Sequence, residues 1–214
     1  MEESTSKEKV LKKVRNAIID KADNPYPNID FESNVYQDIT ESLDITFAEA
    51  LNKVAGNFVY CESINNFTET FKALISEKNW TDLYCIDTNI QAILQKGGID
   101  FSNNEGDFLK QNVGITTCEY LVARLGTIMI SSRQMSGRRM NVYPEVHIVL
   151  AYASQLVPDL KHALKQVKLK YEPNYPSLIT FITGPSRTAD IEKTLVLGAH
   201  GPKEIYVFLV DDAV

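Results

Sequence analysis

The sequence predicts an α/β fold: a mainly parallel sheet with helices on both faces, preceded by an N-terminal helix and an acidic arm. Three observations predict it. From residue 57 onward, short β-type runs alternate with segments of helical period, and such alternation builds βαβ units around a parallel sheet. The strongest β-type runs, Val146-His147-Ile148-Val149-Leu150 and Ile205-Tyr206-Val207-Phe208-Leu209-Val210, are almost continuously apolar, as strands covered on both faces must be. A length of 214 residues with 44% hydrophobic side chains suffices for one cored domain and a small appendage, with no disulfide or metal needed.

Thr5 and Glu8 have capping-box spacing at the start of a helix. Val10, Leu11, Val14, Ala17 and Ile18 form one helical stripe, with lysines on the opposite, solvated face. Residues 22–52 carry seven acids and no Lys or Arg, and Pro25 and Pro27 bracket Tyr26. This reads as an arm with aromatic anchors Tyr26, Phe31 and Tyr36, leading to a short helix near Phe47, Leu51 and Val54. Such an arm can lie over its own domain or over a second copy in a homo-oligomer. The division is therefore 1–45, helix and acidic arm, and 46–214, the α/β domain.

Within the domain, 57–61 reads as a strand, and Phe67, Phe71, Leu74 and Ile75 share a helical face. A strand at 83–86 precedes a helix at 89–95 that stops at Gly97-Gly98. Strands follow at 113–116, 127–131 and 146–151. Val157, Leu160, Leu164 and Val167 mark a helix, 178–183 a strand, 189–197 a helix and 205–210 a final buried strand.

Composition excludes several functions. A net charge of −6 argues against a general nucleic-acid binder. The longest apolar runs are too short for a bilayer, and the polar start Met1-Glu2-Glu3-Ser4 is no signal peptide. A soluble cytoplasmic protein with no membrane partner is expected. Cys61, Cys85 and Cys118 contain no C-x-x-C pair, so each reads as a buried small hydrophobe. With only three histidines, no metal site and no cofactor are expected.

The chemistry points to anions. In parallel sheets, ligands bind outside the carboxyl ends of strands. Gly184-Pro185-Ser186-Arg187-Thr188 follows the strand at 178–183 and is expected to open a helix. Gly184 lets the backbone turn, Ser186 or Thr188 can cap, and free first-turn amides with Arg187 suit a phosphate or carboxylate. An ordinary helix cap explains the same residues equally well. Of the six arginines, three fall in loop 131–139, as Arg133, Arg138 and Arg139. Guanidinium groups hold planar anions in a fork, so this loop is a candidate clamp together with Arg187; the alternative is an exposed connector paired with the protein's own acids. Candidate proton carriers are Glu119, near a strand-to-helix junction, and His200, in the turn Gly198-Ala199-His200-Gly201-Pro202. His147, inside a strand, reads as a satisfied core histidine.

The run 184–192, then Leu195-Val-Leu-Gly-Ala-His-Gly-Pro202 and a hydrophobic last strand, resembles the signature of LUD-domain proteins of the LutC/YkgG type. Val113-Gly-Ile-Thr116, Gly126-Thr-Ile-Met129 and Pro144-Glu-Val-His-Ile-Val149 fit the same family in the same order. The resemblance covers roughly residues 113 to 211. It implies a NagB/RpiA/CoA-transferase-like fold, and a place in oxidation of L-lactate to pyruvate beside partners that carry iron–sulfur clusters. The lack of cluster-type cysteines here suits the cluster-free member. Many relatives have Glu-Thr-Gly or Glu-Ser-Gly before the strand at 127; this chain has Arg124-Leu125-Gly126. An arginine there favours anion binding over proton abstraction.

The first reading is thus a cluster-free component of a lactate or other 2-hydroxy-acid utilisation system that binds an anionic small molecule, with turnover left open. The alternatives are a free-standing enzyme on a sugar phosphate, nucleotide or folate, and a structural module that self-associates through its arm.

Overall fold

The computed structural model describes residues 5–19, 25–30, 36–137, 139–188, 196–198 and 200–212, in two compact units, Met1–Asp38 and Ile39–Val214. The first unit contains helix α1 (Ser6–Ile19). Its start is a reciprocal cap: the Thr5 amide donates to Glu8 Oε2 at 2.8 Å, and the Glu8 amide to Thr5 Oγ1 at 3.3 Å. Val10, Leu11, Val14 and Ile18 are exposed, as are Tyr26 and Tyr36. Phe31 lies outside the described residues.

The second unit runs α2 (Leu43–Lys53), β1 (Asn57–Cys61), α3 (Ile64–Lys78), β2 (Leu83–Tyr84), α4 (Thr88–Gly97), β3 (Val113–Thr117), β4 (Tyr120–Val122), β5 (Thr127–Ser131), β6 (Val146–Tyr152), β7 (Leu156–Val157), α5 (Leu160–Tyr171), β8 (Ile179–Ile182), β9 (Arg187–Thr188), β10 (Val196–Leu197) and β11 (Glu204–Val210). Five strands form the central sheet in the order β1-β11-β6-β3-β2, and every pairing in it is parallel.

The apolar run of β11 explains its central place. Tyr206, Phe208 and Val210 face one core, and Ile205, Val207 and Leu209 the other, as the two-residue period of a strand requires. On the first face lie α3 and α4. Phe67 and Phe71 of α3 stack at 5.5 Å, and both meet Phe208 edge-on. α4 begins under Asp87, whose Oδ1 accepts from the Asn89 amide at 3.0 Å, and it ends on Gly98 in the left-handed region, the stop expected of that glycine pair.

Phe47 and Leu51 of α2 cover the second face, together with Leu121, Ile128 and Ile130 of another sheet. That sheet has the order β7-β4-β5-β8, with β4–β5 and β5–β8 antiparallel. α5 packs on its far side through Ala163 and Val167, against Val122, Met129 and Val157.

Two expectations are corrected. The strands around 127–131 and 178–183 do not extend the parallel sheet but pair antiparallel in the second one. Alternating strand and helix types foretold parallel crossovers, yet only a three-residue 3-10 turn, Ala123–Leu125, separates β4 from β5, so the chain doubles back. The expected helix at 189–197 also fails where it is described: Val196 and Leu197 pair antiparallel with Thr188 and Arg187. The Gly198 amide donates to Ser186 O at 3.0 Å, which closes a short ribbon. Residues 189–195 lie outside the described residues.

Candidate functional site

The carboxyl ends of β2 and β3 carry a continuous polar network. It begins at Asp87, which is buried because it caps α4. The Thr117 hydroxyl, at the end of β3, donates to Asp87 Oδ2 at 3.4 Å and accepts from Gln134 Nε2 at 3.2 Å. Gln134 Oε1 in turn accepts from the Ser131 amide at 2.9 Å. The Ser131 hydroxyl accepts from the Arg133 amide at 3.1 Å and donates to Glu119 Oε1 at 2.5 Å.

Glu119 is the centre of this network. Its side chain is fully buried, yet three donors reach its carboxylate: Ser131 Oγ, Tyr171 OH at 2.7 Å and Lys170 Nζ at 2.8 Å. Its own amide donates to Met129 O at 2.7 Å. A carboxylate taken out of water needs such compensation. Burial works against the Lys170 ammonium, but the hydrogen bond and charge of Glu119 outweigh it and hold its pKa above the ordinary lysine value. Burial, and then the bond to Glu119, push the Tyr171 phenol up. Both oxygens of Glu119 are engaged, so the geometry suits an anchor better than a base waiting for a substrate proton.

Loop 131–139 grows out of this anchor. Arg133 Nη2 donates to Asn174 O at 3.0 Å. Arg138 lies outside the described residues. The Arg139 guanidinium lies 4.7 Å from the centre of the Phe108 ring, and its Nη1 reaches Glu105 Oε1 at 3.5 Å. Next to it is a cleft of about 320 Å³, lined by Tyr84, Ile86, Asn103, Glu105, Phe108, Ser136, Gly137, Arg139 and Met140.

The second expected half of the clamp sits elsewhere. Ser131 pairs with Ile179 at one end of β5 and β8, whereas Thr127 and Thr183 share a 2.7 Å hydrogen bond at the other. Gly184, Ser186, Arg187 and Thr188 follow that far end. The Ser186 amide donates to Pro202 O at 2.8 Å, just ahead of β11, so the turn lies at the amino edge of the parallel sheet. Arg187 Nη2 donates to Val54 O at 2.9 Å. A Cβ on Gly184 would lie 2.3 Å from Val54 O, at φ +77. This turn therefore locks onto the end of α2, with an amide that was expected to be free already spent. Arg133 and Arg139 therefore do not join Arg187 in one clamp. His200 is exposed at the same amino edge, remote from Glu119.

His147 is fully buried, with Nε2 2.8 Å from Thr116 Oγ1. Burial pushes its pKa down to about 4, so it is a neutral core histidine. Cys61, Cys85 and Cys118 are buried, and burial pushes the first two thiols up to about 11 and about 12, and Cys118 further. Among the described residues, no three His, Cys, Asp or Glu side chains group as metal ligands. Sequence reasoning missed Lys170, Tyr171 and Gln134. Tyr171 had a signal, because it lies four positions after Val167, on the side of α5 that Ala163 and Val167 bury.

A family model described as the LUD domain matches residues 46–210. The chain belongs to the LUD domain family. Its LUD domain is 31% identical over 159 residues to Lactate utilization protein C of Halalkalibacterium halodurans, a match covering 71% of this chain and 69% of that protein. Lactate utilization protein C 1 of Bacillus mycoides is 31% identical over 166 residues, covering 69% and 70%. Lactate utilization protein C of Geobacillus thermodenitrificans is 40% identical over a shorter span of 103 residues, covering 47% and 43%. A crystal structure of a DUF162 family protein from Deinococcus radiodurans shares the fold, with a TM-score of 0.61 at 18% identity over 78% of this chain and 96% of that one.

Proposed function

We propose that this LUD-domain chain serves lactate utilisation, as the component without an iron–sulfur cluster in a system that converts L-lactate to pyruvate. We place its anionic ligand at the carboxyl edge of the parallel sheet, beside Arg133 and Arg139. The observation that carries the reading is the 31% identity, over 71% of the chain, to a protein named for lactate utilisation. The cysteines support the cluster-free part. Cluster ligation needs several convergent thiolates, and among the described residues no three His, Cys, Asp or Glu side chains group together. In this reading Glu119 is a positioning residue: through Ser131 it fixes the root of the arginine loop.

Deletion of the gene in its host tests the proposal, together with affinity purification of the tagged full chain from lactate-grown cells. Loss of growth on L-lactate and recovery of iron–sulfur proteins are expected. Undiminished growth on lactate, with no iron–sulfur protein recovered, would overturn it.

A further inference from the structure

The cleft beside β2 is larger than a three-carbon acid needs. Its roughly 320 Å³ reaches the lower range of small-molecule sites, and a ligand the size of lactate would leave most of it empty. Its lining is divided. Tyr84, Ile86, Phe108 and Met140 form an apolar floor, with the Tyr84 and Phe108 rings 5.2 Å apart and edge-on. Met140 brings a thioether, which packs well against aromatic rings. Asn103, Glu105, Ser136 and Arg139 form the rim.

Among the described residues, Arg139 is the one cation lining this cleft. Its guanidinium carbon lies over the Phe108 ring, 4.7 Å from the centroid, a cation–π contact that holds the group beside the floor. Among the described residues its edge is held by Glu105 alone, at 3.5 Å, in a pair whose two side chains are 55% and 87% exposed. An exposed pair of that length holds weakly. An incoming acid can displace Glu105 and take the guanidinium edge as a fork, while the rest of the ligand lies on the floor.

We infer that this cleft takes a planar aromatic ring bearing an anionic group, the acid on the edge of Arg139 and the ring against Tyr84, Phe108 and Met140. The inference rests on the anionic ligand proposed above for this edge and names its class. Aromatic rings favour offset or edge-on contacts with rings and sulfur over aliphatic ones of equal size, so the floor discriminates by flatness. Two sources share the chemistry, a nucleotide and a simple aromatic acid.

The test is a titration of the full chain with its methionine methyl groups isotopically labelled, read at Met140 and assigned with Met140→Leu. The probes are benzoate, cyclohexanecarboxylate, adenosine 5′-monophosphate and L-lactate. Benzoate or the nucleotide should shift the Met140 signal, and the tighter of the two identifies the source. Benzoate should bind at least tenfold more tightly than cyclohexanecarboxylate, which has the same charge and similar bulk but no flat ring. Arg139→Lys should weaken binding about fivefold or more, because the ammonium is no fork. Asn103→Trp, placed on the exposed rim, should block the cleft without entering the core. Equal binding of both ring acids, binding untouched by Arg139→Lys and Asn103→Trp, or no response to either aromatic probe at 10 mM would overturn the inference. A response to L-lactate alone would overturn it too, yet leave the proposed role in lactate utilisation standing.

Discussion

Acidification should destabilise this fold through one histidine. His147 lies in the middle layer of the protein, in β6 between β3 and β11. It is fully buried, and burial lowers its pKa to about 4 from an ordinary 6.5. The folded state therefore resists a proton that the unfolded chain accepts. Between those two values the unfolded chain binds more protons, so stability is fully present above pH 6.5 and is lost as pH falls toward 4. Each pK unit is worth 1.36 kcal/mol, which puts the loss between pH 7 and pH 4.5 at about 2.5 kcal/mol. The variant His147→Gln keeps a polar group for Thr116 and does not titrate. Urea unfolding of both proteins at pH 7 and pH 4.5 isolates the effect, because the other groups titrate in both. The wild type should lose about 2.5 kcal/mol more than the variant. Equal losses would mean that His147 accepts its proton in the folded state, and the argument from burial would fail.

Other perturbations read the frame of the site. Gly126 has φ +58, and a Cβ there would lie 2.3 Å from the Leu51 amide nitrogen; both clash and strain follow, so Gly126→Ala should cost more than about 3 kcal/mol in urea unfolding. Glu119→Ala strands the Lys170 ammonium and two hydroxyls. With Lys170 half exposed, the cost should be about 2 kcal/mol, and adding Lys170→Met should restore part of it in a double-mutant cycle. Arg187→Ala removes one exposed contact to Val54 O. It should cost about 1 kcal/mol in thermal unfolding and leave the affinity of any ligand at the carboxyl edge unchanged.

Much of the fold was legible because its signals are local or periodic. The run 205–210 announced a strand buried on both faces, and β11 sits in the interior of the sheet. Gly97-Gly98 announced the end of α4, and Gly98 takes the left-handed conformation that only such a residue accepts cheaply. What failed was partnership. Nothing in Thr127-Ile-Met-Ile-Ser131 says whether its neighbour is parallel or antiparallel, since the period is two in either case. The 184–188 turn has every residue of a helix start, yet its Ser186 amide is claimed by Pro202, sixteen positions on. The site suffered in the same way. Glu119 meets Lys170 and Tyr171 across more than fifty residues of chain, a separation at which composition and spacing carry no information.

The arrangement also explains how a buried charge and an exposed loop come to belong together. A buried ion pair is a poor source of stability, because desolvation consumes much of what attraction supplies. Its value lies in geometry. Glu119 accepts from the end of α5 through Lys170 and Tyr171, and from the end of β5 through Ser131. Ser131 then receives the Arg133 amide, and Gln134 ties the same turn back to Thr117 on β3. One carboxylate thus fixes a helix end, a strand end and the first residues of the arginine loop in a single register. Among the described residues, neither Arg133 nor Arg139 gives its guanidinium to Glu119: Arg133 reaches Asn174 O, and Arg139 lines its cleft. If Glu119 instead worked as a base, Glu119→Gln would abolish turnover while leaving ligand affinity intact. A positioning role predicts the reverse ordering: affinity at the loop weakens first, and Ser131→Ala, which cuts the same link without touching the carboxylate, weakens it by a similar factor.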